Sequence, residues 1–94
     1  MVLRAPEIKA RLKVAIQDGA VRYTGHAQEQ MKKRGFTVID VERVLKNGIH
    51  DSKKDCIGPN GYWRYRINGS TIDGKKIKVA VEIEDEVVVI TVID

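Results

Sequence analysis

Over residues 24–35 the chain reads T-G-H-A-Q-E-Q-M-K-K-R-G, and His26, Gln30 and Arg34 recur four residues apart. On a helix this spacing stacks the three side chains in one row, with Lys33 beside it and an apolar stripe of Ala27 and Met31 along its border. A row of that kind belongs at the edge of a helix–sheet seam, where polar groups are half buried and can point into a cleft. Its imidazole can move a proton near neutrality and its guanidinium can hold an anion. The plainer reading is that His26 bonds locally in the first turn, while Lys32, Lys33 and Arg34 complement the helix dipole in the last.

A second constellation is Tyr62-Trp63-Arg64-Tyr65-Arg66. Alternation along a strand puts Tyr62, Arg64 and Arg66 on one face, where rings can stack bases and guanidinium forks can take phosphate oxygens. Lys78 on the following strand can join them. The same pattern also describes an amphipathic strand with a solvated outer face. Other signals fail on their chemistry. Gly58-Pro59-Asn60-Gly61 is a turn without the Lys-Ser or Lys-Thr of a phosphate loop. Glu82, Glu84, Asp85 and Glu86 read as a solvated rim across a hairpin. His50 and Asp51 share no ligand spacing with His26, so neither a metal site nor a cofactor is expected.

The elements that must carry these residues follow from periodicity. Pro6 and Glu7 open a helix whose buried side is Ile8, Leu12, Ala15 and Ile16 and which Gly19 stops. A short strand at 20–23 leads into the helix of the His26 row, closed by Gly35 in a left-handed cap. Thr37 with Asp40 resembles a capping box, and Val38, Val41, Val44 and Leu45 carry a third helix to Asn47-Gly48. From there the period changes to two, giving strands at 49–56, 61–67, 75–84 and 87–93, separated by short turns that favour an antiparallel meander. The fold class is therefore α+β, with N-terminal helices on one face of a C-terminal, mainly antiparallel, twisted sheet. Trp63, Tyr65, Ile67, Ile77, Val79, Val81 and Ile83 should meet the helices, while Tyr62, Arg64, Arg66, Lys76 and Lys78 look away. The last strand is apolar on both sides, as in a sheet interior.

A chain of 94 residues, 43% hydrophobic and 32% charged, can bury one core without staples, so it reads as a single domain over 1–94, with 1–19 as a helical extension of a core at 20–94. Seventeen Lys and Arg against thirteen Asp and Glu give a net charge of +4 and a pI of 9.3, which suits a polyanionic partner. The lone Cys56 can form neither an internal disulfide nor a zinc site and fits a reducing compartment. The early charges do not suit a signal peptide and the apolar run at 87–90 is too short to span a bilayer, so a cytoplasmic protein without membrane contact is expected.

The pattern T-G-H-A-x-x-x-M-x-x-R-G-F-T, followed by Val41-Glu42-x-x-Leu45, a Tyr-rich strand and the terminal V-V-V-I-T-V-I, resembles a bacterial family of uncharacterised domains. That family carries a His-Ala-x-x-Arg-Met-x-x-Arg-Gly-Ile motif and an Ile-Thr-Val terminal strand, and is grouped with RelE-like and BrnT-like toxins. The resemblance covers residues 20–93. It implies a ribonuclease-toxin sheet with helices on one face and an open basic groove on the other, RNA as substrate and a cognate antitoxin as partner; a homodimer is compatible with it. It carries over to His26, Arg34 and Thr91, and departs at Gln30, where the family has arginine.

The implied reaction is metal-independent cleavage of mRNA by its own 2′-hydroxyl. That reaction needs a base near the hydroxyl, a cation on the phosphorane and an acid for the departing 5′-oxygen. His26 fits either proton-transfer role. Arg34 with Arg64 or Arg66 would hold the phosphate, and Tyr62 would stack a base or bond near the leaving group. Gln30, Lys33, Lys78 and Thr91 would make further RNA contacts. The expected protein is a type II toxin acting as an endoribonuclease; the alternative, favoured by Gln30, is a non-catalytic RNA- or protein-binding module of the same fold.

Overall fold

The computed structural model describes residues 2–94. Three helices, α1 (Ala5–Asp18), α2 (Gly25–Arg34) and α3 (Val38–Asn47), accompany five strands, β1 (Val21–Tyr23), β2 (Ile49–Ile57), β3 (Trp63–Ser70), β4 (Lys76–Ile83) and β5 (Val87–Ile93). The sheet order is β1-β5-β4-β3-β2. Strands β2 to β5 form the expected antiparallel meander, and β1 adds a parallel edge beside β5. The α+β architecture and its mainly antiparallel sheet are those read from the sequence.

Local chemistry sets the helix ends. The Ala27 N–H donates to Thr24 Oγ1 at 3.1 Å, which starts α2, and Gly35 at φ 74° ends it in a conformation that costs glycine little. Thr37 and Asp40 form the reciprocal capping box of α3, at 2.8 and 3.2 Å.

Cross-strand register sorts the two faces. Tyr65, Val81 and Val89 lie in one row, Ile67, Val79 and Val92 in the next, and all six are buried. They meet Ile8 and Leu12 of α1 and Val41, Val44 and Leu45 of α3, all within one hydrophobic cluster. Ile8 and Leu12 are 0% exposed, so α1 is built into the same core as the rest of the chain. Each such side chain contributes about 1.5–3 kcal/mol by leaving water.

A bulge in β5 resets its alternation part-way along the strand. Val89 pairs with Val81 and Thr91 with Ala80, so Ile90 is an extra residue between them. Because side-chain direction alternates with period two, the extra residue turns Thr91 and Ile93 to the outer face and returns Val92 to the core. Among the described residues no helix is long and apolar enough to cross a membrane.

Candidate nucleic-acid interface

At 100° per residue, Ala27 and Met31 lie together on the buried side of α2, with Gln28 and Lys32 on one flank and His26, Gln30 and Lys33 on the other. The first flank lines a cavity of about 430 Å³ with Tyr23, Phe36 and Val38. The second flank is turned to β5. Strand β1 ends at Tyr23, and beyond it the polar groups of the β5 edge are taken by side chains. The Thr24 hydroxyl donates to the Ile90 carbonyl at 3.3 Å, and the Val92 N–H donates to Gln30 Oε1 at 2.9 Å. Gln30 is thus a structural acceptor, a role that an arginine, which only donates, cannot fill.

The capping group of α2 is Thr24, not His26. His26 is exposed in the first turn and its ring forms no hydrogen bond among the described residues. Lys33 is exposed beside it. Arg34 is half buried and reaches the exposed Asp94, Nε to Oδ1 at 3.3 Å.

On the outer face of the sheet, opposite α1 and α3, three cross-strand rows follow one another. They are Arg64–Glu82–Val88, then Arg66–Ala80–Thr91, then Asn68–Lys78–Ile93. Arg66, Lys78 and Thr91 are half exposed, and their side chains have no hydrogen-bond or ion-pair partner among the described residues. The structure therefore brings Arg66, Lys78 and Thr91 into one patch, and of the α2 row it ties Gln30 to Val92 of β5 and Arg34 to Asp94. It does not bring His26 against Arg66, because β5 and β4 intervene and backbones two strands apart are separated by about 10 Å.

Tyr62 does not share the face of Arg64 and Arg66. Strand β3 begins at Trp63, and Tyr62 sits in the preceding turn, held by Gly58 N–H to the Tyr62 carbonyl (2.8 Å) and Tyr62 N–H to Asn60 Oδ1 (3.3 Å). Its ring lines a cavity with Leu3, Arg11, Trp63 and Tyr65 on the helix-bearing side. Alternation fails here because it holds only inside the ladder.

Glu82 departs from the solvated rim expected of it. It lies inside β4 and is 1% exposed. Arg64 Nε donates to Glu82 Oε2 at 2.7 Å, and Asn60 Nδ2 donates to Oε1 at 3.0 Å. Burial pushes the carboxyl up, but the bonds from Asn60 and Arg64 and the charge of Arg64 outweigh it and hold the group below its ordinary value. Only the outer part of the acidic run behaves as a rim, with Glu86 paired to Arg22 at 2.7 Å in solvent.

With the outer face, the terminal strand and the α2 row in place, the whole of residues 23–94 matches a single family, described as a domain of unknown function, DUF4258. The chain belongs to the DUF4258 family. No curated protein and no solved structure matches it. The match begins at Tyr23, so α1 stands upstream of the DUF4258 region although it shares its core.

This chain also contains polar clusters that its sequence does not announce. Pairing between β2 and β3 slips between Asp51 and Cys56, and the intervening bulge brings Asp55 Oδ1 to 2.7 Å from His50 Nε2. The His50 ring meets Tyr65 edge-on at 5.8 Å, and the Tyr65 hydroxyl accepts from Leu3 N–H at 2.9 Å. Asp51, the partner considered for His50, instead pairs across from Arg66 on the opposite face. No cluster of ligating side chains exists among the described residues. Tyr23 buries its hydroxyl without a partner, and burial, helped by the Glu42 charge, pushes its pKa up to about 12. Only the irregular register makes the His50–Asp55 pair, and no sequence spacing signals it.

Proposed function

We propose that this DUF4258 protein is a toxin-like endoribonuclease that binds single-stranded RNA across the outer face of the sheet. One observation carries the reading: Arg66 and Lys78 stand without ion-pair partners among the described residues on that face, in successive rows that include Thr91. Unpaired guanidinium and ammonium groups on an uncovered sheet are suited to phosphate oxygens. A ligand touching both His26 and Arg66 must extend across β4 and β5, as a segment of more than one nucleotide does. His26 would then move a proton between the 2′-hydroxyl or the 5′-oxygen of the cleaved linkage and solvent, while Arg66 holds the phosphate of a neighbouring nucleotide and fixes the strand in register. The resemblance to RelE-like and BrnT-like toxins supports the same reaction and adds a cognate antitoxin as partner.

The test is expression in a bacterium. Wild type is expected to arrest growth and deplete mRNA, and His26→Ala or Arg66→Ala to abolish both while remaining folded; normal growth with soluble, folded wild type counts against the reading. A second reading, a non-catalytic RNA-binding module, is favoured by Gln30, which is engaged by Val92 in place of the family's arginine. It predicts binding whose logarithm falls with log salt at roughly −0.7 per phosphate contacted, without cleavage.

A further inference from the structure

Arg64 lies in the first of the three outer rows, and its guanidinium is already engaged through one nitrogen. Nε donates to Glu82 Oε2 at 2.7 Å, while neither terminal nitrogen has a partner among the described residues and the side chain keeps 31% exposure. A guanidinium carries five N–H donors in one plane, so this bond leaves the four of the terminal fork, the edge that grips a phosphate with two parallel bonds. Glu82 cannot itself meet a ligand. Its side chain is 2% exposed, and its two oxygens are taken by Arg64 and Asn60. Asn60 in turn accepts from Tyr62 N–H, tying the turn to the carboxylate. The turn closes over the pair only because position 58 is glycine, since a Cβ there would lie 2.6 Å from Arg64 Nε and 2.8 Å from Glu82 Oε2.

We propose that Glu82 is a positioning residue that, with Asn60 and Gly58, fixes the Arg64 fork in the direction of an RNA phosphate at the end of the outer face. The proposal rests on the RNA reading above and deepens it by naming the cation whose geometry is set before the ligand arrives. An arginine held by a buried carboxylate loses little rotamer freedom on binding, whereas Arg66, between Ala80 on β4 and Asp51 on β2 with no ion pair to either, must be ordered by the ligand.

The test is a double-mutant cycle on binding of a short fluorescein-labelled single-stranded RNA, read by anisotropy at fixed salt. Arg64→Ala and Glu82→Gln are each expected to weaken binding about tenfold, and the double variant no further. The Arg64 Nε–H resonance should shift in Glu82→Gln, and Glu82→Asp should recover part of the affinity. Glu82→Gln that is folded and binds like wild type overturns the positioning role, as does a double variant whose losses multiply. Should Glu82→Gln fail to fold, Asn60→Ala carries the same cycle from an exposed turn, with a loss of about threefold expected and wild-type affinity overturning the role. Wild type that neither binds nor cuts RNA overturns the RNA reading itself, which is a separate outcome from the loss of the positioning role alone.

Discussion

Arg64 and Arg66 stand two residues apart on β3 and face the same way, yet Arg64 is held by Glu82 and Arg66 is held by nothing. The cross-strand neighbour makes the difference. On β4, Arg64 faces a buried carboxylate that a turn closes over and Arg66 faces only the methyl group of Ala80; on β2, Arg66 also faces the half-exposed Asp51, with which it forms no ion pair among the described residues. Two positions with the same residue type, strand and face thus divide between order and availability. A basic patch read from sequence is a mixture of these two kinds of cation, and only the partner strand tells them apart.

Stability separates the two most strongly. Glu82→Ala is expected to cost about 3 kcal/mol, because it strands a partly buried guanidinium and removes the acceptor of Asn60, whereas Arg66→Ala should stay within about 0.5 kcal/mol. Urea unfolding of both variants checks the contrast, and equal costs would erase it. Acid gives the next effect. The Glu82 carboxyl titrates lower in the folded protein than its ordinary 4.5, so its contribution is present above that value and is lost as pH falls through the lower folded one. Thermal melts of wild type should fall more steeply with acid than those of Glu82→Gln; parallel curves would show that the pair does not favour the charged form. The smallest effect tests the converse. Ala80→Glu adds a carboxylate on the β4 side of Arg66, opposite the Asp51 already present on β2, and should change stability by less than about 0.5 kcal/mol while weakening RNA binding, since the free cation is neutralised.

Much of the fold was legible because it depends on local periodicity. The capping box at Thr37 and Asp40, the helix stop at Gly35 and the inward rows of β3 and β4 all follow from residue types within a few positions of one another. The candidate site was legible only in part, because its decisive contacts come from irregular or distant pairings. Ile90 as a bulge residue is invisible in a run of Val and Ile, although it decides that Thr91 faces outward. Glu82 resembles its neighbours Glu84 and Glu86 in type, and is distinguished by Asn60 and Arg64, which arrive from an earlier turn and strand. Tyr62 fell to the helix-bearing side because one residue separates it from the start of the ladder. His50 and Asp55 meet across a slip in register that no spacing rule contains.

The two borders of the sheet bear on how the molecule behaves when crowded with copies of itself. An open strand edge is a template on which another chain can add and a filament can grow. On the β5 side, past the end of β1, Thr24 and Gln30 occupy the groups such a chain would need. On the β2 side the slip between Asp51 and Cys56 breaks the straight run, and exposed Lys53 and Lys54 sit within it. One border is the short three-residue edge of β1, beyond which side chains act as mock strand partners on β5, and the other is bent and charged. The wide outer face can therefore stay uncovered for a ligand while the sheet is kept from extending sideways into a fibre.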